Sequence, residues 1–149
     1  MDEVMIRRLK TEVLDLPEKI RKIEYVDMTP KQSQIYKEVY NGVMSDLQKI
    51  KFSNNPLSMM IRLRQATGWT GIISDTIQES AKMERMIELV QEIVASGQKA
   101  IIFSNWESIT EVAKDKLKSY NPAYITGATK ADERMKEVER FQNDDKCKV

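Results

Sequence analysis

Histidine is absent from the 149 residues. That removes Ser-His and Cys-His nucleophilic catalysis and the commonest metal ligand. Cysteine occurs once, at Cys147; with no disulfide framework the chain fits a reducing, intracellular compartment. No apolar run is long enough to span a bilayer, and no stretch has the layout of a signal peptide. An excess of charge is missing as well. The 24 basic residues face 23 acidic ones for a net charge of +1, so any basic surface must come from local clustering. There is no G-x-x-x-x-G-K-S/T phosphate loop and no Asp-Glu metal-binding pair in a strand context. What remains is a chain with 41% apolar residues, long enough to bury a core as one domain.

The stretch that organises it is Lys99 to Glu107. Ala100-Ile101-Ile102-Phe103 reads as a short strand buried on both faces. Gly97 stands where a preceding helix needs a left-handed cap, and Ser104 with Glu107 has the capping-box spacing for a following helix. Helix, buried strand, helix is the repeat of a doubly wound α/β domain. In such sheets ligands bind beyond the carboxyl ends of the strands, which makes Ser104, Asn105 and Trp106 candidate binding residues.

The rest of the chain follows in order. A loosely amphipathic helix over residues 1–16 ends at Pro17, and a strand is expected over 20–28. Thr29-Pro30-Lys31-Gln32 is a strong helix start, with Ile35, Tyr36, Val39, Tyr40, Val43, Leu47 and Ile50 on one face. Ser53-Asn54-Asn55-Pro56 breaks that helix and opens another, striped by Met59, Met60, Leu63 and Ala66. Gly68 and Gly71 flank Trp69 in a loop that leads to Ser80. The cleanest helical period is Met83, Met86, Ile87, Val90, Ile93 and Val94. Ile109, Val112, Ala113, Leu117 and Tyr120 mark a helix stopped by Asn121-Pro122. Ala123 to Thr126 is a second strand, and Ala131, Met135, Val138 and Phe141 are the inward positions of a last helix. Lys146 to Val149 reads as the opening of a third strand, so the sheet is expected to be incomplete at its C-terminus.

Four blocks resemble, in order, the second RecA-like lobe of Swi/Snf-type ATPases, DNA translocases of helicase superfamily two. Arg7-Arg8 through Leu16-Pro17-Glu18-Lys19 is similar to the family's twin-arginine helix followed by Leu-Pro-x-Lys. Thr29-Pro30 through Tyr36 is similar to L-S-P-x-Q-x-x-x-Y, with Gln32 and Tyr36 matching. Ile61-Arg62-Leu63-Arg64-Gln65 is similar to L-R-L-R-Q, although Ala66-Thr67-Gly68-Trp69 replaces the usual Cys-Asn-His-Pro. Ser80-Ala81-Lys82, Lys99 to Trp106, and Gly127-Ala128-Thr129 with Glu133-Arg134 and Phe141 resemble S-x-K, K-x-L-I-F-S-x-F/W and G-x-T-x-x-x-E-R…F.

The resemblance implies an α/β, RecA-like, three-layer parallel-sheet lobe related to P-loop NTPases. Residues 1–66 form a helical lead-in with one strand, and residues 67–149 a partial helicase C-terminal domain. It implies part of an ATP-dependent DNA translocase, lying in the cytoplasm of a bacterial or viral host or in a eukaryotic nucleus. ATP and Mg²⁺ belong to the intact two-lobe protein, and this chain alone is not expected to hydrolyse ATP. DNA backbone contact is expected from Ser104, Asn105, Trp106, Gly127, Thr129, Lys82 and Lys130, through hydroxyls, amides and helix N-termini. Lys82 sits in a first helical turn, where a cation opposes the dipole unless an anion is near. Arg7, Arg8, Arg62 and Arg64 are expected to brace the fold or meet the other, N-terminal lobe. Ordinary roles stand beside these: Ser104 and Thr129 as helix caps, Trp106 as packing, Lys114, Lys116 and Lys118 as a solvated face, Tyr36 and Tyr40 as core, and Cys147 as an inert strand residue. A non-catalytic α/β interaction module and an RNA-helicase lobe are the alternative readings. Self-association through an open sheet edge is a further expectation, and no membrane partner is expected.

Overall fold

The computed structural model describes residues 9, 13–15, 18–49 and 56–149. Most of the expected helix over residues 1–16, including Arg7 and Arg8, with its end at Pro17, Ile50 and the break at Ser53-Asn54-Asn55, lies outside the described residues.

Helix α1 (Pro30–Lys49) starts where Thr29-Pro30 requires. Gln32 N donates to Thr29 Oγ1 at 3.1 Å, and Pro30 has no amide to leave unpaired. The Gln32 side chain does not close a capping box. It is buried, donating to Ala66 O at 3.1 Å and Thr67 O at 3.4 Å while its Oε1 accepts from Ala81 N at 3.2 Å. One amide side chain therefore joins α1 to the end of α2 (Pro56–Gly68) and to the first residue of α3 (Ala81–Ala95). Tyr40, expected in the core, is 45% exposed; α1 packs against α2 through a narrower stripe than its sequence suggests.

Between α2 and α3 the chain folds tightly on Thr70. The Thr70 hydroxyl donates to Ile77 O at 2.7 Å and accepts from Glu79 N at 2.7 Å. The departure at Ala66 to Trp69 lies in the core: Ala66 is fully buried, and Trp69 clusters with Met83 and Ala113. Ser80 caps α3, accepting from Met83 N at 3.1 Å and donating to Gly68 O at 2.5 Å. The apolar stripe of α3 behaves as its period implies, with Met83 and Val90 buried and Met86, Ile87, Ile93 and Val94 packed beside them. Gly97 ends the helix at φ +82°, and the bonds Gly97 N→Val94 O and Gln98 N→Ile93 O close the turn.

Two helices complete the order, α4 (Glu107–Lys116) and α5 (Ala131–Asn143), with 3₁₀ turns at Thr70–Ile72 and Lys118–Tyr120. Asn121, at φ 50°, turns the chain before Pro122 as the sequence requires. The face expected to point inward from α5 is largely outward: Met135 is 61% exposed, Ala131 is also exposed, and Phe141 is the half-buried anchor.

No regular β-ladder is assigned among the described residues. Three of the four segments expected as strands nevertheless meet. Ala100 N donates to Lys148 O at 2.9 Å, Lys148 N to Tyr120 O at 2.9 Å, and Ala123 N to Val149 O at 2.8 Å. Lys148 and Val149 thus lie between the segment at Ala100 and the one at Ala123. The bonds climb 120–123 and 148–149 in the same direction, as in a parallel pair. Burial of the 99–103 segment on both faces is not observed. Ala100 is buried, while Ile101 and Phe103 are 66% and 90% exposed, because the neighbouring backbone at Val149 reaches only its first residues. Residues 20–28 do not pair as a strand either; Ile20 and Tyr25 are at least 90% exposed.

The 18–28 segment is held by charge instead of by a sheet. Glu24 bonds Arg85 Nε at 2.7 Å and Lys22 Nζ at 2.6 Å, and Arg85 also meets Glu88 and Glu92 on its own helix. The Arg85 guanidinium first, and the Lys22 ammonium second, lower the Glu24 carboxyl to about 2. A depressed carboxyl stabilises the tether fully above the ordinary carboxylate range and loses that contribution as pH falls toward 2. A ¹³C-detected titration should place the Glu24 midpoint near 2, and Arg85→Ala should raise it toward the ordinary range, with Lys22 still holding it down in part. A Glu24 midpoint in that range in the unaltered chain refutes the tether.

Candidate nucleic-acid interface

Beyond the end of the 99–103 segment a cleft of about 350 Å³ opens between the start of α3 and the start of α4. Lys82, Ser104, Asn105 and Trp106 share its wall, with Met83 and Ile109 as its apolar floor. Four of the seven residues expected to touch DNA are therefore brought together. Their grouping follows from the core: Met83 on α3 and Ala113 on α4 pack with Trp69, which sets the two helix starts side by side.

The capping box expected at Ser104 and Glu107 is not formed. Trp106 is the N-cap of α4, without a side-chain cap bond, and Glu107 is the first helical residue. Ser104 Oγ instead accepts from Trp106 N at 3.2 Å, a tighter turn that uses the hydroxyl one step before the helix. Arg64, on α2, lies over the Trp106 ring at 5.6 Å, at the cleft edge. Arg62 is exposed on the same helix.

Gly127, Thr129 and Lys130 lie in a separate loop outside this cleft, ahead of α5. Thr129 does not cap α5: the N-cap is Lys130, with no side-chain cap bond, and Thr129 Oγ1 accepts from Thr126 N at 2.9 Å. Sequence reasoning assigned no role to Arg134. Its Nε donates to Thr129 O at 2.8 Å, and its Nη2 to Gly127 O at 3.1 Å and Thr126 O at 3.3 Å. One guanidinium consumes three loop carbonyls and fixes the loop from the first turns of the helix it precedes. The sequence signal was there, in the Glu-Arg pair after G-x-T.

Lys114 and Lys116 are exposed, yet their ammonium groups sit over Tyr124 at 4.6 Å and Trp69 at 6.0 Å rather than extending free. Cys147 is buried and unpaired. Among the described residues no group of acidic, histidine or cysteine side chains is placed to hold a metal ion, and no helix is long and apolar enough to cross a membrane.

Two family models match this chain in succession: the SNF2-related domain over residues 1–70 and the helicase conserved C-terminal domain over residues 81–149. The chain belongs to the SNF2-type helicase family. An uncharacterized ATP-dependent helicase of Mycoplasma pneumoniae is 27% identical over 144 residues, covering 93% of this chain and 14% of that protein. The chromatin remodeling factor mit1 of Schizosaccharomyces pombe is 26% identical over 165 residues, covering 91% of this chain and 12% of that protein. The SNF2 chain thus spans a small fraction of the length of these relatives. Among solved structures, the C-terminal domain of the Sulfolobus solfataricus SWI2/SNF2 ATPase superposes with a TM-score of 0.73 at 22% identity, over 84% of this chain and 59% of that one. That likeness gives the fold, in keeping with a RecA-like lobe.

Proposed function

We propose that this SNF2 chain forms the part of an ATP-driven DNA translocase or remodeller that grips the phosphate backbone and supplies one wall of an inter-lobe ATP cleft. The observation that carries the reading is the convergence of Lys82 with Ser104, Asn105 and Trp106 on one cleft between two helix N-termini. A cation, a hydroxyl, an amide and backbone N–H groups suit a phosphate and carry no base code. Gly127, Thr129 and Lys130 offer a second phosphate contact on the loop that Arg134 holds. Thr129 Oγ1 accepts from Thr126 N at 2.9 Å and lies 3.4 Å from Thr126 Oγ1, from which its proton would turn to donate to a phosphate.

ATP and Mg²⁺ are held in the intact protein with the N-terminal lobe, whose phosphate loop this sequence lacks, and this chain alone does not hydrolyse ATP. Arg62 and Arg64, with Arg7 and Arg8, meet that lobe or brace the cleft. The exposed Ile101 and Phe103 provide a surface through which copies of the chain self-associate at high concentration.

DNA titration tests the reading. Each phosphate neutralised by a cation contributes a slope of about −0.9 in log K against log salt for duplex DNA. Neutral donors release few counterions, so Lys82 and Lys130 set a shallow slope with a magnitude on the order of one to two. Lys82→Ala should reduce that magnitude by about one. Thr129→Ala should weaken binding by ~0.5–1.5 kcal/mol for one lost hydrogen bond and leave the slope unchanged. Because Thr129 also holds Thr126 N, melting curves run beside the titrations. A lower melting temperature with unaltered DNA affinity in both variants removes these residues from the interface.

A further inference from the structure

The consecutive residues Ala66 to Thr70, at the end of α2 and in the turn after it, hold the start of α3 almost residue by residue. Ala66 O and Thr67 O accept from Gln32 Nε2, and the Oε1 of the same amide accepts from Ala81 N at 3.2 Å. Gly68 O accepts from the Ser80 hydroxyl at 2.5 Å, and Trp69 packs on Met83. The Thr70 hydroxyl accepts from Glu79 N at 2.7 Å and donates to Ile77 O at 2.7 Å, while Thr70 N donates to Glu79 O at 3.2 Å. Residues 79, 80, 81 and 83 are thereby all engaged. Lys82 stands exposed in their midst, and no ion pair among the described residues uses its ammonium.

These anchors do different work. Gln32 and Ser80 satisfy groups that helix ends leave unpaired, and Trp69 builds the core. Thr70 sets the path by which the chain enters α3. Both the N–H and the C=O of Glu79 are bonded to this one residue, so the peptide groups on either side of the Glu79 Cα are fixed. Thr70 is fully buried, so water cannot stand in for its hydroxyl. From Glu79 the chain passes through the extended cap residue Ser80 straight into the first helical turn. A cation in that turn opposes the helix dipole, so the turn needs support from outside the helix to keep Lys82 at the cleft.

We infer that Thr70 is a positioning residue for the DNA-binding cleft. Its hydroxyl fixes the approach to α3 and so holds Lys82 on the wall shared with Ser104, Asn105 and Trp106. Thr70 touches no phosphate itself, being buried and outside the cleft lining. The inference rests on the proposed grip on the phosphate backbone and names the residue that keeps its cation in place.

The test uses the whole chain and a short mixed-sequence DNA duplex, titrated at several salt concentrations well below the melting temperature. Thr70→Val keeps the shape and removes the hydroxyl; Thr70→Ser keeps the hydroxyl and removes the methyl group. Thr70→Val should weaken binding about three- to tenfold and reduce the magnitude of the salt slope by up to about one, as Lys82→Ala does. Thr70→Ser should bind within about twofold of the unaltered chain. In the Lys82→Ala background, Thr70→Val should add less than about twofold, because the cation it positions is gone. The full loss in that background means general loosening and overturns the proposal. A loss in Thr70→Ser as large as in Thr70→Val also overturns it, and so does unaltered binding by Thr70→Val where Lys82→Ala is weakened. If Lys82→Ala itself changes neither affinity nor slope, the DNA reading fails and this proposal falls with it.

A second measurement needs no variant. Coupling between two sites is reciprocal, so saturating DNA should slow hydrogen exchange at the Glu79 amide about threefold or more relative to the Leu117 amide in the core. Equal slowing at both amides, or none at Glu79, overturns the proposal even where Thr70→Val does not fold.

Discussion

Replacing Gln32 by leucine lowers the stability of the chain by ~2–4 kcal/mol, the sum expected for buried partners left without a hydrogen bond. Leucine keeps the volume and the apolar stem, so the loss isolates the amide. Gln32 is 1% exposed. Its Nε2 satisfies Ala66 O near the end of α2, and its Oε1 satisfies Ala81 N at the start of α3. These belong to the carbonyls and amides that helix ends leave unpaired, and burial here denies them water. The first turn of α3 also carries Lys82, so the same substitution weakens DNA binding by loosening the helix start. Urea unfolding reads the first effect. A loss under about 1 kcal/mol with an unchanged m-value shows that water replaces the amide and that Gln32 is not the joint between the helices.

Local signals in the sequence were legible where local groups answer them. Ser80 caps α3, Gly97 ends it with a positive φ, and six apolar residues in helical register give its packed face. Where a side chain has a distant partner, the same local signals mislead. Gln32 stands at a capping-box position and spends its amide on two other helices. Ser104 has the spacing of a cap and turns to Trp106 N instead, which moves the helix start to Glu107. The apolar positions of α5 follow a helical period, but what sits opposite them decides burial, and Met135 has nothing opposite it.

The candidate site divides along the same line. Ser104 to Trp106 followed from the rule that ligands gather beyond strand ends and Lys82 from its place in a first helical turn, and the structure sets all four on one cleft through the packing of Met83 and Ala113 on Trp69. No spacing in the sequence could express that proximity. Arg134 was visible as part of a motif. Its role needed the carbonyls of Thr126, Gly127 and Thr129 to be seen converging on one guanidinium. Arg7 and Arg8 lie outside the described residues, so their part in bracing rests on the family resemblance.

Leu117→Ala should cost ~3–5 kcal/mol, toward the upper end for a leucine truncated in a core. Leu117 is 1% exposed and joins Val90 of α3 to Ala100, with Ile87, Ile102 and Tyr120 around it. The size of a truncation penalty depends on whether neighbours can close the hole. Here the backbone is pinned on both sides, with Leu117 N bonded to Ala113 O and Tyr120 N to Leu117 O, each at 2.9 Å. The 3₁₀ turn that follows leaves little slack before Pro122. The new space would open into an apolar cleft beside it, where water finds few polar partners and a dry hole is expected. In a chain of this length each kcal/mol lowers the melting temperature by about 2–4 °C, so a fall of roughly 8–15 °C is expected. A loss under about 1.5 kcal/mol means the walls collapse onto the alanine, and the cleft would then narrow. Leu117 and Gln32 share no partner, so their penalties should add to within about 0.5 kcal/mol in the double variant. A coupling above about 1 kcal/mol would instead tie the α1 joint to the Val90–Ala100–Leu117 cluster through α3, the helix both of them touch.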